Sequence, residues 1–98
     1  MKPLTFHPNV AHEVGAAYHW YESHAKGLGD DFFSELEASY KVISEYPEAW
    51  PTFYSRFKRY VLNWFPFSII FSVKGDSIFV IAVINNRRKP GYWHSRAQ

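Results

Sequence analysis

The sequence predicts a single α+β domain in which a helical hairpin packs on one face of an antiparallel sheet. Three observations predict this class. The chain has 98 residues, the length of one small domain. Two stretches in its first half repeat apolar residues at three- and four-residue steps, as amphipathic helices do. Three stretches in its second half have the composition of strands. The order is therefore β-α-α-β-β-β over residues 1–98, with no domain boundary.

The first half of the chain predicts one short strand followed by two helices. Asn9 is expected to cap the first helix, because its side chain can accept hydrogen bonds from the free amides of the first turn. Two glycines in 27–29 separate the helices, and Pro47 ends the second one. The expected bounds are Leu4 to Phe6 for the strand, Asn9 to about Ala25 for the first helix and Asp30 to Glu45 for the second.

The second half predicts three consecutive antiparallel strands at 56–63, 67–73 and 77–84. Apolar residues alternate with serines along much of 67–73, which is typical of a strand with one buried face. Gly75 supplies the turn that follows. The stretch 77–84 is almost wholly apolar, so we expect a central strand covered on both faces. The stretch 56–63 carries cations on both faces, so we expect it to lie at or near a sheet edge. It follows a loop that contains Pro47 and Pro51.

Composition narrows the class of protein. Apolar residues make up 47% of the chain, which suffices for a core, and there are no cysteines for disulfides or thiolate metal sites. The first residues lack the apolar segment of a signal peptide, and no apolar run is long enough to cross a bilayer. The composition is therefore compatible with a reducing cytoplasm, and we expect no membrane partner. The formal net charge of +2 permits an anionic partner without requiring one.

Cationic and aromatic side chains cluster after the last predicted strand. The polarity changes at Asn85, and Pro90–Gly91 halts the strand. Arginine beside exposed aromatic rings is typical of contact surfaces. Solvated strand charges and a packed Trp93 remain alternatives. The residues that we expect to bind a target are Arg56, Lys58, Arg59, Arg87, Arg88, Tyr92 and Trp93.

We expect neither a metal ion nor a cofactor. His12 and His19 are two helical turns apart, too far for their imidazoles to share one ion without another element. The glycines of 27–29 follow a helix rather than a strand, so they do not form a phosphate-binding loop. The tryptophans at 20, 50 and 64 are expected to pack rather than bind.

Three segments of the chain resemble the ParE/RelE superfamily of type II toxin–antitoxin toxins, also catalogued as plasmid stabilisation proteins. They are YHWYE, GLGDDFFSELE and FPFSIIFSVKGDSIFVIAVINNRRKPGYW, and the likeness extends from about Leu4 to Trp93. The resemblance implies a small cytoplasmic toxin that is neutralised by a cognate antitoxin. It also implies that operator DNA is contacted only through the antitoxin.

The superfamily has two activities, and the fold does not choose between them. ParE-like members inhibit DNA gyrase and are not enzymes, whereas RelE-like members are endoribonucleases that cut mRNA on the ribosome. For a nuclease, phosphate binding and proton transfer would fall to Lys58, Arg59, Arg87, Arg88 and Tyr92. The modest net charge and the lack of histidine in the strands favour the ParE-like reading. A third possibility is a non-toxic binding module that acts with an antitoxin in autoregulation.

Overall fold

The computed structural model describes residues 1–89 and 91–97, and in them two helices and a five-stranded sheet. The predicted α+β class, with a helical hairpin on one face of the sheet, is confirmed. One further short strand precedes the three predicted in the second half. The elements are β1 (Leu4–Phe6), α1 (Asn9–His24), α2 (Leu28–Glu45), β2 (Thr52–Tyr54), β3 (Phe57–Val61), β4 (Phe67–Lys74), β5 (Ser77–Asn85) and a 3-10 turn at His94–Ala97.

The sheet is mixed rather than purely antiparallel. Its strand order is β1-β5-β4-β3-β2, and β1 runs parallel to β5, with Leu4 opposite Ile78 and Phe6 opposite Val80. A three-residue strand carries no pattern that reveals its direction, which is why this pairing was not predicted. β2 lies in the loop that begins at Pro47 and forms the edge, so β3 is second from the edge. The prediction that β3 lies at or near an edge holds.

The face of the sheet that carries the helices holds the larger core. Phe32 and Leu36 of α2 are fully buried there against Phe67 of β4 and Tyr21 of α1. The rings of Phe32 and Phe67 meet edge to face at 5.1 Å between centroids, the geometry that aromatic pairs prefer. The spacing of apolar residues in both helices therefore correctly predicted the faces that pack on the sheet.

The opposite face of the sheet is also buried, contrary to the one-sided strand expected at 67–73. Ile70 is 0% exposed and Ser68 and Ser72 are buried as well. The chain after β5 folds back across this face, and Trp93 packs there with Phe57 and Ile70. Serines at the alternate positions of β4 leave room under this segment. Their small polar side chains are what made the face resemble a solvent-facing one in the sequence.

The helix ends differ in detail from the expected ones. Asn9 is the first residue of α1 rather than its cap, and its side chain makes no capping bond. The amide of Asn9 instead donates to His7 Nδ1 at 3.1 Å. α2 begins at Leu28, two residues early, because Glu22 of α1 accepts from the amides of Gly27 and Gly29, both at 2.9 Å. Pro90, to which the end of β5 was attributed, lies outside the described residues.

We expect Gly29→Ala to lower the free energy of unfolding by about 1–3 kcal/mol, the usual cost of overpacking. A Cβ at this position would lie 2.7 Å from the backbone oxygen of Tyr18 and 2.9 Å from Glu22 Oε1. Gly15→Ala is the control, because a Cβ there meets nothing within 4 Å and alanine favours a helix by about 0.5–1 kcal/mol over glycine. Urea denaturation measures both. Equal effects of the two substitutions would contradict the close helix contact.

Candidate functional site

A groove of about 380 Å³ lies between α1 and the ends of β4 and β5. Its floor is apolar and includes Ala17 and Val83. Its rim carries aromatic and cationic side chains, namely those of Trp20, Arg87 and Arg88. We call it the α1–β5 groove. A concave site with an apolar floor and a few polar groups is the usual form of a ligand or target site, so this groove is the candidate functional site.

A turn at the end of β5 presents the two arginines that the sequence singled out. Asn85 Oδ1 accepts from the amide of Arg87 at 2.9 Å, and the Asn85 carbonyl accepts from the amide of Arg88 at 3.0 Å. Both arginines are exposed, and the guanidinium of Arg88 lies 4.4 Å from the centroid of the Tyr92 ring. Within residues 1–89 and 91–97, neither pairs with a carboxylate. Their charges therefore face solvent and the groove.

The carboxylate of Glu13 links three parts of the molecule at this groove through hydrogen bonds. Its Oε2 accepts from the Tyr92 hydroxyl at 2.8 Å and from Arg96 Nη2 at 2.9 Å, and its Oε1 accepts from the amide of Val83 at 3.0 Å. The side chains of Glu13 and Arg96 are only 14% and 12% exposed. One side chain of α1 thus holds both β5 and the C-terminal segment.

The same ion pair satisfies a backbone edge that the short strand β1 leaves uncovered. β1 ends at Phe6, opposite Val80, while β5 continues to Asn85. Beyond Val80, the carbonyl of Ile81 accepts from Arg96 Nη1 at 3.2 Å, and the amide of Val83 donates to Glu13. Buried backbone groups without partners are costly. Glu13 and Arg96 therefore take the place of a strand on this stretch of β5.

Tyr92 and Trp93 are not the two exposed rings that we expected. Trp93 is 1% exposed, with its ring centroid 5.5 Å from that of Phe57, so its indole is part of the core and is not available to a target in this structure. Tyr92 is half-buried and lines the groove, with its hydroxyl donated to Glu13. Burial of large apolar area favours this placement of Trp93 over an exposed one.

The environment of Tyr92 raises its pKa to about 12, first because the ring is buried and then because its hydroxyl bonds to the Glu13 carboxylate. Arg88 and Arg96 oppose the shift, but less strongly. A group that transfers protons near neutral pH needs a pKa near that pH. The hydroxyl of Tyr92 is therefore a hydrogen-bond donor here and is poorly suited to proton transfer.

The three cations of the β3 region point to different places. Lys58 is 9% exposed and its Nζ donates to the Trp50 carbonyl at 2.6 Å. Arg59 donates to Ser68 Oγ and Asn86 Oδ1, both at 3.0 Å. The exposed Arg56 lies 4.7 Å over the ring of Phe57. Of the seven expected residues, only Arg87, Arg88 and Tyr92 line the groove.

Three residues of the site were not predicted as functional, namely Glu13, Trp20 and Arg96. Glu13 had a signal in the sequence, because it lies one turn from both Val10 and Ala17, on the apolar face of α1. A carboxylate at such a position needs a buried partner. Trp20 is 58% exposed on the groove rim, although we expected it to pack. The place of Arg96 depends on how the chain folds back after β5, and no local pattern indicates that.

The comparison with known proteins supports the fold. No family model matches the chain, and no curated protein matches it. Among solved structures, a chain of the structure described as "Chromosomal ParDE TA system from P. aeruginosa" superposes with a TM-score of 0.63. The match covers 87% of this chain and 96% of that one. The fold is RelE/ParE-like. At 18% sequence identity, the likeness shows the fold alone.

Two further observations bear on the class of site. In the ranges 1–89 and 91–97, no three histidine, aspartate or glutamate side chains come close enough together to hold a metal ion. In the same ranges, neither helix combines the length and apolar character that spanning a bilayer requires.

We expect the stability of the protein to fall between about pH 10 and pH 12 in part through Tyr92. Its pKa is 10.0 as a reference and about 12 in the fold, so in this window the folded state keeps a proton that the unfolded state loses. The stabilisation is complete below about pH 10 and disappears as the pH rises through the folded pKa.

Unfolding of the wild-type protein and of Tyr92→Phe across this range measures that contribution. The difference between the two at neutral pH reports the lost hydrogen bond, and it should shrink above about pH 10. A difference that stays constant up to pH 12 would show that the hydroxyl is not held by Glu13.

Proposed function

We propose that the chain is the toxin of a type II toxin–antitoxin system and that, like ParE, it acts on DNA gyrase without being an enzyme. The observation that carries the proposal is the RelE/ParE-like fold, shared over almost the whole length of a chain from a ParDE system.

The placement of the candidate catalytic groups favours gyrase over mRNA as the target. A ribonuclease needs cations on the scissile phosphate together with groups that move protons. Lys58 already donates a hydrogen bond to the Trp50 carbonyl, and Arg59 already donates to Ser68 and Asn86. Tyr92 has a raised pKa, and its hydroxyl donates a hydrogen bond to Glu13. Lys58 and Arg59 do not line the groove that Arg87, Arg88 and Tyr92 line, so the five candidate groups do not converge on one phosphate. A protein contact therefore fits them better than phosphoryl transfer.

Arg87 and Arg88 are the side chains that we assign to target binding. They are exposed, have no carboxylate partner in the described ranges and adjoin the groove. Arg88 is also held in place by the ring of Tyr92. An arginine with a fixed orientation loses less side-chain entropy on binding, which favours a contact of high affinity. Arg56, Lys58, Arg59 and Trp93 would then contribute mainly to folding.

An antitoxin is the second proposed partner. Large apolar side chains are exposed on the helical hairpin, among them Phe33 at 44% and Val42 at 38%. Phe53 of the edge strand β2 is 50% exposed. Exposed apolar side chains on a small protein favour a partner that covers them. We expect a segment of the antitoxin to cover the helical hairpin or to extend the sheet at its edge.

Expression of variants without antitoxin tests the proposed site. We expect the wild-type chain to arrest growth and the double substitution Arg87→Ala with Arg88→Ala to remove most of that effect. Lys26→Ala with Lys74→Ala is the matched control, because it removes two exposed cations far from β5's end and should leave growth arrest intact. Full arrest by the arginine variant would exclude the assignment. The folded state of each variant is verified by its unfolding curve.

Two activity assays with purified protein separate the possible targets. We expect inhibition of gyrase supercoiling and no cleavage of mRNA on ribosomes. Cleavage without gyrase inhibition would contradict the proposal and favour a RelE-like nuclease. Absence of growth arrest and of both activities would instead favour a non-toxic binding module that works with an antitoxin.

A further inference from the structure

The α1–β5 groove has the size of a site for one small ligand. Its volume of about 380 Å³ lies within the range of about 300–1,000 Å³ that is usual for such sites. Ala16 and Ala17 face it from α1, and their short side chains leave the space open. A peptide helix, which is about 10–12 Å wide, would find room for roughly one turn only. A compact ligand therefore fits the groove better.

One rim of the groove is an aromatic platform. Trp20 is 58% exposed, and the ring of His24 stacks on it at 3.8 Å between centroids with an interplanar angle of 26°. His24 Nδ1 lies 2.7 Å from the Trp20 carbonyl, which holds the imidazole in this position. One face of the indole is thus covered by His24, while Trp20 as a whole stays 58% exposed and lines the groove. A planar ring can stack there.

The other rim of the groove is cationic. The guanidinium groups of Arg87 and Arg88 suit a phosphate group, because each presents several donors in a planar fork. Arg88 is fixed by the Tyr92 ring at 4.4 Å. Arg87 lines the groove together with Tyr21, and its charge opposes the rise that burial causes in the pKa of the Tyr21 hydroxyl.

The carboxylates near the groove do not cancel this positive charge. Glu13 is bound to Arg96, Tyr92 and the amide of Val83. Glu22 is bound to the amides that begin α2. The charge of Glu13, which lines the groove, is balanced by Arg96, and Glu22 is not among the lining residues. Arg87 and Arg88 line the groove without a carboxylate partner in residues 1–89 and 91–97, so their charges are uncompensated there. The charge complement of the groove is therefore an anion.

We propose that the α1–β5 groove binds a nucleotide, with its base on Trp20 and its phosphate on Arg87 and Arg88. A ligand that joins a planar apolar ring to a phosphate matches both rims and the apolar floor. The nucleotide can be free or can be one unit of a single strand, since both present the same chemistry. Arg87 and Arg88 are also the side chains assigned to the gyrase contact, so nucleotide and gyrase would compete for the groove. The titration measures the nucleotide in the absence of gyrase, and its failure would leave the result of the gyrase assay unaffected.

Calorimetric titration of the purified protein tests the proposal with adenosine 5′-monophosphate as the probe. We expect saturable binding of one molecule per chain, with adenosine and inorganic phosphate each at least about tenfold weaker. A short single-stranded oligoadenylate serves as the second arm. Affinity equal to that of the mononucleotide assigns the groove to a free nucleotide, and clearly higher affinity assigns it to a strand.

Two variants and their matched controls test the roles of the rims. Trp20→Ala should weaken binding of the mononucleotide at least about tenfold. Trp64→Ala removes a tryptophan that is 84% exposed elsewhere and should change the affinity less than about twofold. Arg87→Gln with Arg88→Gln should lower the affinity for the mononucleotide to the affinity for adenosine. Lys41→Gln with Lys74→Gln should leave that affinity unchanged.

Four results would overturn the proposal. The first is the lack of saturable binding of the mononucleotide at concentrations up to about 5 mM. The second is binding of inorganic phosphate as tight as that of the mononucleotide, which would reduce the groove to an anion patch. The third is an equal effect of the two tryptophan variants. The fourth is binding of an acidic amphipathic peptide without binding of the mononucleotide, which would assign the groove to a protein partner.

Discussion

The ion pair between Glu13 and Arg96 is the interaction on which the rest of this structure depends. β5 is nine residues long, whereas its parallel neighbour β1 has three, so part of the central strand lacks a partner on one side. The two side chains bond to the carbonyl of Ile81 and the amide of Val83 on that stretch. Both are mostly buried, and removing one would leave the other charge without compensation.

The consequences of that pair extend to the candidate site. Because Arg96 and Tyr92 are both tied to Glu13, the chain after β5 folds back over the sheet and buries Trp93. The second face of the sheet is thereby closed. The ring of Tyr92, whose hydroxyl bonds to Glu13, in turn packs against the guanidinium of Arg88 at the groove. Arg87 and Arg88 thus lie beside a segment that is bound to the core, which is the usual arrangement of a binding surface on a small scaffold.

The sequence predicted those features that local patterns encode. Spacing of apolar residues located both helices and their buried faces, and the turn at Gly75, whose φ is +57°, placed the β4–β5 hairpin. The cluster of Arg87 and Arg88 was also found in the sequence. The parallel pairing of β1 and the role of Glu13 depend on contacts between residues about 70 to 80 positions apart. The burial of Trp93 depends on Phe57 and Ile70, which lie on two other strands of the sheet. No local pattern specifies such contacts: the place of Glu13 on the apolar face of α1 indicates that it needs a partner, but not which residue that partner is.

Hydrogen exchange at the amide of Val83 tests the central claim most directly. This amide has no strand partner and bonds to the Glu13 carboxylate, whereas the amide of Ile78 bonds to the Pro3 carbonyl. Both should exchange slowly in the native protein. In Glu13→Ala, exchange at Val83 should accelerate at least about tenfold more than at Ile78, since local opening no longer breaks a bond. Equal acceleration at both amides, or none at Val83, would contradict the account.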